Sequence, residues 1–358
     1  MGEALIDLVP LQGGEPELRR AQPGGAPANV AVGLARLGTS CWFAGALGDD
    51  RFARALEERM TRAGVHLDLC ARSPWPTALA VADPGEDRDH GGQAPAAAGA
   101  DAAAGPGARA GSDREGPGHR RREGTSGGAA DGCRPSGVSN GYRFHLHDTA
   151  TFRIADRAAS VARFGAVYVG GLAAVVPPAA DAVAATARAA AAAPGTVLVV
   201  DPNVREEGAD DPVEGLRRLR ELCLLARIVK ASDEDLVRLW PDRPVEETCR
   251  ALAGEGRLVV LTRGARGSTA YLPGTGRPGA PEPVSVPAVP VDVVNTIGAG
   301  DAFTAGLLSR LDALGMLNPD ALGELDARQA RDLLRHAAAI AASVCATSGT
   351  EPAPVAVA

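Results

Sequence analysis

Apolar residues along this chain switch repeatedly between two spacings. Residues 5–9 form an apolar run of strand length, and Pro27 then opens a stretch in which Val30, Leu34 and Leu37 share one helical stripe. Phe52, Leu56, Met60 and Ala63 mark a second helix. Further strand-like runs at 166–169, 197–200, 227–229 and 258–262 are separated by helical stretches, and the last two helices start near Gly300 and Arg328. Strands alternating with helices predict an α/β domain, a doubly wound and mostly parallel sheet flanked by helices.

Two segments, 77–83 (TALAVAD) and 142–147 (YRFHLH), alternate apolar and polar residues instead. Half-buried strands read this way, so the two are expected to pair as an antiparallel hairpin beside the main sheet. Between them, 85–140 is rich in Gly, Ala, Pro, Ser and Arg and almost free of large apolar residues. It buries too little surface to offset its ordering entropy and is expected to be disordered. Stretching a loop from about six to about fifty residues costs roughly 2 kcal/mol of closure entropy, which the hairpin can survive.

Composition narrows the classes. The 358 residues show no solenoid repeat, and length alone permits one large α/β domain or two smaller ones; a single domain spanning 1–358 is expected. A net charge of −7 argues against nucleic acid or an anionic membrane as partner. Six cysteines (41, 70, 133, 223, 249, 345) lack paired ligand spacing, which reads as reduced thiols in a cytoplasmic protein. The opening MGEALIDLVP has no charged leader before an apolar core, so no signal peptide is expected. Asp181 and Arg188 interrupt the alanine run 179–193, making it a soluble helix. Lys230 is the only lysine, which at this level reads as codon usage.

The chemistry concentrates in 294–303, VNTIGAGDAF, followed by Phe303, Leu307 and Leu311 at helical spacing. Small residues at Gly298, Ala299 and Gly300 let backbone N–H groups converge on an oxyanion, and the helix N-terminus adds partial positive charge. Asp301 then sits beside a bound phosphate, where a carboxylate can take a proton from an attacking hydroxyl. The same glycine-rich turn also serves as a plain strand-to-helix connection. Upstream, 23–29 (PGGAPAN) sets Gly25 before a helix with Asn29 in its first turn, able to bond a diol, and Asp7 lies at the end of the first strand. Downstream come DPNVR (201–205), KASDED (230–235) and TRGARG (262–267), each after a strand. Asp201 and Arg205 could simply pair with each other. Asp49 and Asp50 read as a helix N-cap, and His145 with His147 as lid residues.

In GGAPANVAVGLARLG, GDDRFARALEERMTRAGV and NTIGAGDAF, in that order and spacing, the chain resembles the ribokinase-like (PfkB) carbohydrate kinases over nearly its whole length apart from the insertion. The resemblance implies a doubly wound core with a small β lid, here approximately 9–22, 76–84 and 141–152, that closes over a sugar and can also carry homodimer contacts. It implies transfer of the ATP γ-phosphate, with Mg²⁺, to a monosaccharide hydroxyl. By position, Asp301 is similar to the family's base and Gly298, Ala299 and Gly300 to its anion hole. Asp7, Gly25 and Asn29 correspond to sugar contacts. Ser232, Asp235, Thr262, Gly264, Gly267 and Arg205 correspond to the nucleotide side. GEALIDL and DPNVR look most like fructokinase-type sequences; 2-keto-3-deoxygluconate kinase or ribokinase is the alternative, and a sugar- or nucleotide-binding regulatory protein on a kinase scaffold is the non-enzyme one.

Three departures qualify the resemblance. Asn295 stands where the family commonly has Asp, a weaker ligand that leaves activation by K⁺ open. Ser232 replaces the usual Asn. The chain also starts within its first strand, which points to an upstream start or a slightly eroded central sheet.

Overall fold

A computed structural model describes residues 1–10, 18–82, 136–139, 142–205, 210–277, 279 and 281–352. The strands β8 (Ala166–Gly170), β9 (Val197–Asp201), β10 (Ile228–Ser232) and β11 (Leu258–Thr262) run parallel, and β12 (Ser268–Tyr271) and β13 (Val284–Val286) extend the sheet antiparallel beyond β11. The order is β13-β12-β11-β10-β9-β8. Between these strands lie the helices α3 (Ala179–Ala192), α4 (Pro212–Leu225), α5 (Asp233–Leu239) and α6 (Val245–Gly254).

Successive strand residues point to opposite faces, so each strand feeds two cores. Leu198, Val200, Val229 and Leu261 pack with Val183, Ala187, Leu219, Leu222 and Leu252 of the helices between strands. Val197, Val199, Ile228 and Val260 pack on the other side with α1 (Ala26–Arg36), α7 (Ala299–Ala313) and α9 (Ala327–Cys345), through Val30, Leu34, Phe303, Leu307, Leu333 and Leu334. This three-layer arrangement is the expected doubly wound fold.

A second sheet has the order β2-β1-β5-β7-β6, from β1 (Leu5–Pro10), β2 (Arg19–Gly24), β5 (Leu79–Ala82), β6 (Ser136–Ser139) and β7 (Tyr142–His145). The expected hairpin is present, with Leu79 opposite His145 and Ala82 opposite Tyr142. Two expectations need correction. The first strand lies in this small sheet and not in the central one: β1 pairs antiparallel with β2 and parallel with β5, and only Leu5 and Ile6 of its six residues are buried. Ser136–Ser139 fall inside the stretch expected to be disordered, yet they pair with β7, because Tyr142–His145 offers a second edge after β5 has taken the first. The rest of the 85–140 segment lies outside the described residues.

Helix α2 (Arg51–Ala63) starts where the sequence indicated, with Asp50 as N-cap accepting from Ala53 N at 2.7 Å and from Thr77 N at 2.7 Å. A short β3 (Ala46–Leu47) precedes it and pairs in parallel with β4 (Ala71–Arg72), which follows it. The short α8 (Pro319–Gly323) leads into α9.

Helix α7 carries the GAGD turn and is held between α1 and α9 by two close crossings. A Cβ on Gly33 would stand 2.6 Å from Ala305 Cβ, and one on Gly306 would stand 3.0 Å from Ala337 Cα. Larger side chains at either place must push α7 away. Overpacking of this kind costs about 1–3 kcal/mol, against less than about 1 kcal/mol gained in helix propensity. Gly33→Val is therefore expected to destabilise the fold by about 2 kcal/mol in urea unfolding; unchanged stability would show that α1 and α7 can separate freely.

Candidate active site

Gly298 N-caps α7 at φ 80°, a left-handed value that glycine adopts at little cost, and a Cβ there would lie 3.0 Å from Thr350 Cβ. The next residues begin the helix, so their amide N–H groups have no partner within it. Ala299 N donates instead to Thr296 O at 3.2 Å, so of the expected anion hole this amide is engaged in a turn. Gly300 is exposed and Gly298 and Ala299 are partly so, which leaves the cradle open to solvent.

Asp301 follows in the first turn of α7, half-buried, with its Oδ2 accepting from Asn29 Nδ2 at 2.8 Å. Asn29 is buried in the first turn of α1, the helix that Gly25 opens at φ 95°. A Cβ on Gly25 would meet Glu3 O at 2.7 Å, and one on Gly24 would meet Asp7 Oδ2 at 2.0 Å. The two glycines thus let Asp7 and the backbone at Glu3 approach the start of α1. Asn29 spends both ends of its amide within the protein: Oδ1 accepts from Arg59 Nη2 at 2.9 Å.

Carboxylates crowd this space. Burial drives the Asp301 carboxyl up to about 6, with Asp201 raising it further and the Asn29 bond, Lys230 and Arg205 holding it back. Asp7 is pushed to about 7 by burial and by Asp301, against the pull of Arg59. Glu3 reaches about 7 through burial, although Leu172 N and Ala173 N donate to it at 3.2 and 3.0 Å.

Beneath the cradle, Lys230 Nζ donates to Asp201 Oδ2 at 2.8 Å, and Thr304 Oγ1 bridges Asp201 Oδ2 and Gly300 O at 3.2 and 3.0 Å. Burial opposes charge on Lys230, but the Asp201 carboxylate outweighs it and holds the ammonium above its ordinary value. A Cβ on Gly300 would lie 3.4 Å from Lys230 Nζ. The sole lysine therefore has a structural place: a compact ammonium fits between Asp201 and Gly300 where the broader guanidinium, with five donors to satisfy, does not. Its lone occurrence among 37 basic residues was the signal that codon usage obscured. Asp201 pairs with Lys230 and not with Arg205, whose Nη1 donates to Val204 O at 2.9 Å.

Of the residues expected on the nucleotide side, Ser232 and Asp235 form the capping box of α5, and Asp235 Oδ1 also accepts from Val204 N at 2.8 Å. Their side chains are thus committed to shaping the loop at the ends of β9 and β10. Thr262 ends β11 with Oγ1 donating to Ala231 O at 3.4 Å. Gly264 and Gly267 have φ of 53° and 83°, and a Cβ on Gly267 would meet Val286 O at 2.2 Å. Asn295 Oδ1 accepts from Ile297 N at 3.0 Å, capping the turn into the cradle. Glu3, Arg59, Thr304 and Lys230 were not legible as site residues from the sequence, and of these only Lys230 carried a signal.

A separate cavity of about 400 Å³ lies beside the outer edge of β8, lined by Met1, Leu34, Trp42, Phe164 and Tyr168, and includes none of these site residues.

A carboxyl raised by burial makes the fold bind protons more tightly than the unfolded chain does. Its stabilising effect is complete below the unfolded value and is lost as pH rises through the folded one. For Asp301 that window runs from about 4 to about 6. Asp301→Asn is expected to be more stable than the parent at pH 8 by about 1–3 kcal/mol, with the gap closing towards pH 4. Urea midpoints at both pH values check this; equal gaps would show that burial does not strain the carboxylate.

Comparison with known proteins identifies the family and the fold. A family model described as pfkB family carbohydrate kinase matches residues 1–104 and 139–356. A fructokinase of Rhizobium leguminosarum bv. trifolii is 27% identical over 333 residues, covering 92% of this chain and 84% of its own. A fructokinase of Escherichia coli is 27% identical over 347 residues, covering 95% and 91%. Among solved structures, fructokinase with bound ATP from Xylella fastidiosa superposes with a TM-score of 0.73 at 26% identity, covering 98% of this chain and 92% of that one. Fructokinase from Vibrio cholerae O395, in its fructose, ADP and calcium ion bound form, gives a TM-score of 0.70 at 24% identity over 98% and 92% of the two chains, and shows the same fold. With an intact GAGD turn, a helix-borne carboxylate facing a small second sheet, and a family match over most of its length, this chain belongs to the pfkB family of carbohydrate kinases.

Proposed function

We propose that the chain is a fructokinase, transferring the γ-phosphate of ATP to a hydroxyl of fructose with Asp301 as general base. The carrying observation is the Asp301 carboxylate at the N-terminus of α7, hydrogen-bonded to Asn29 and raised to about 6. A base so poised is ionised at neutral pH yet basic enough to receive a proton as the hydroxyl attacks. The amides of the cradle and the Lys230 ammonium beneath Gly300 favour the charge that gathers on the transferring phosphoryl group. Asp7, on β1 of the lid sheet, faces the same space and is the candidate to bond other sugar hydroxyls.

The choice of fructose rests on the relatives, which are named fructokinases in both bacteria. Val289, Val291, Val293, Val294 and Ile297 are exposed in the loop entering the cradle, apolar surface suited to the purine of ATP. Thr262, Gly264, Gly267 and Arg205 are assigned to the nucleotide side. Among the described residues no three His, Cys, Asp or Glu side chains converge on a metal site. Mg²⁺ is expected to enter as MgATP, keeping phosphate oxygens and waters as most of its ligands. With Asn295 Oδ1 engaged by Ile297 N, dependence on K⁺ is expected to be weak. The described cysteines 41, 70, 223, 249 and 345 are free thiols.

ADP release measured with fructose, 2-keto-3-deoxygluconate and ribose is expected to be fastest with fructose. Asp301→Asn should lower kcat by about 10²–10⁴ while calorimetry shows sugar binding retained. Tight sugar binding without turnover in the parent protein would favour a regulatory binding protein, and near-normal turnover in Asp301→Asn would remove the base from the mechanism.

A further inference from the structure

The Asn29 amide that holds Asp301 is itself held from behind. Arg59, on α2, reaches it with Nη2 at 2.9 Å from Oδ1, while Nε donates to Glu351 Oε1 at 2.6 Å and Nη2 also approaches Thr350 Oγ1 at 3.4 Å. Glu351 is fixed in turn by Arg36, the last residue of α1. A continuous chain of bonds thus runs from the segment after α9, through α2 and α1, to the carboxylate on α7.

Chemistry dictates its direction. A guanidinium has donors only, so the amide end it meets must be oxygen; a carboxylate accepts only, so the end it meets must be N–H. Arg59 and Asp301 on opposite ends admit one orientation of Asn29. Without Arg59 the Oδ1 end loses this donor, the amide is held from the Asp301 side alone, and the one side-chain hydrogen bond that favours the ionised carboxylate loses its fixed geometry. We propose that Arg59 is a positioning residue for phosphoryl transfer, locking the Asn29 amide so that Nδ2 faces Asp301. The inference rests on the reading of Asp301 as the base.

The groups facing Asp301 are Glu3 and Asp7 from the N-terminal segment, Arg59 from α2, Tyr168 from β8, Asp201 and Arg205 at the end of β9, and Lys230 from β10. Arg59 could also act on Asp301 simply as a nearby positive charge. It stays charged through the working range, since burial lowers it only to about 10. A double-mutant cycle separates the two routes.

The pH dependence of kcat and kcat/KM, with saturating MgATP, is measured for the parent, Arg59→Met, Asn29→Ala and the double variant, with thermal melting as a folding check. In Arg59→Met the acid limb is expected to move up by about one pH unit and kcat at neutral pH to fall up to about tenfold, with the sugar KM little changed. In the Asn29→Ala background the Arg59 substitution should shift the limb no further. An unmoved limb in Arg59→Met, or an equal shift with and without Asn29, overturns the proposal. Should Arg59→Met fail to fold, Arg59→Lys carries the test: it keeps the charge but loses the fork, so a raised limb supports positioning and an unchanged one refutes it. If Asp301→Asn turns over normally, the base reading fails first; if Asp301→Asn is inactive and the Arg59 limb is unmoved, only the positioning inference falls.

Discussion

One carboxylate, partly desolvated at the positive end of a helix, organises this molecule. Asp301 would be an ordinary helix-start acid were it not crowded by the carboxyls of Glu3, Asp7 and Asp201 and steadied by Asn29, Lys230 and Arg205. Burial and like charge push its proton affinity up, while hydrogen bonding and cations restrain the rise. On the proposed reading of Asp301 as the base, a carboxylate at the usual value would accept a proton less readily, and one raised much further would be protonated at neutral pH.

The fold exists, in large part, to keep these opposing groups together. Alternate residues of β9 and β10 send Asp201 and Lys230 to the face covered by α7, so their ion pair lies under the cradle. Gly33 and Gly306 let α1 and α9 close on α7. Gly24 and Gly25 let the first strand of the smaller sheet and the residues before it come within reach of α1, bringing Asp7 and Glu3 into the cluster. Small residues are therefore concentrated where charged ones must meet.

Much of this was legible in the sequence, for identifiable reasons. The parallel strands and their helices have long, strongly periodic patterns, and the GAGD turn couples an unusual run of small residues to a helix start and an acid. The placement of β1 was not legible, because a short apolar strand reads alike in a central sheet and in a small second one; partner choice, not periodicity, decides it. The strand Ser136–Ser139 has little apolar content and owes its pairing to the free edge of β7. Arg59 was hidden among the other arginines of an amphipathic helix, and only the fold shows that it reaches Asn29 and Glu351. Ser232 and Asp235 were read as nucleotide contacts, whereas their spacing also satisfies a capping box, which the structure contains.

The account turns on the proton affinity of a single side chain, which can be observed directly. Carbon-13 NMR of protein labelled at aspartate carboxyls, compared between the parent and Asp301→Asn, isolates the resonance of Asp301 through a pH titration. A midpoint near 6 is the predicted result. A midpoint near the ordinary aspartate value of about 4 would mean that the carboxylate is neither desolvated nor crowded as described, and the reading of Asp301 as a tuned base would be contradicted.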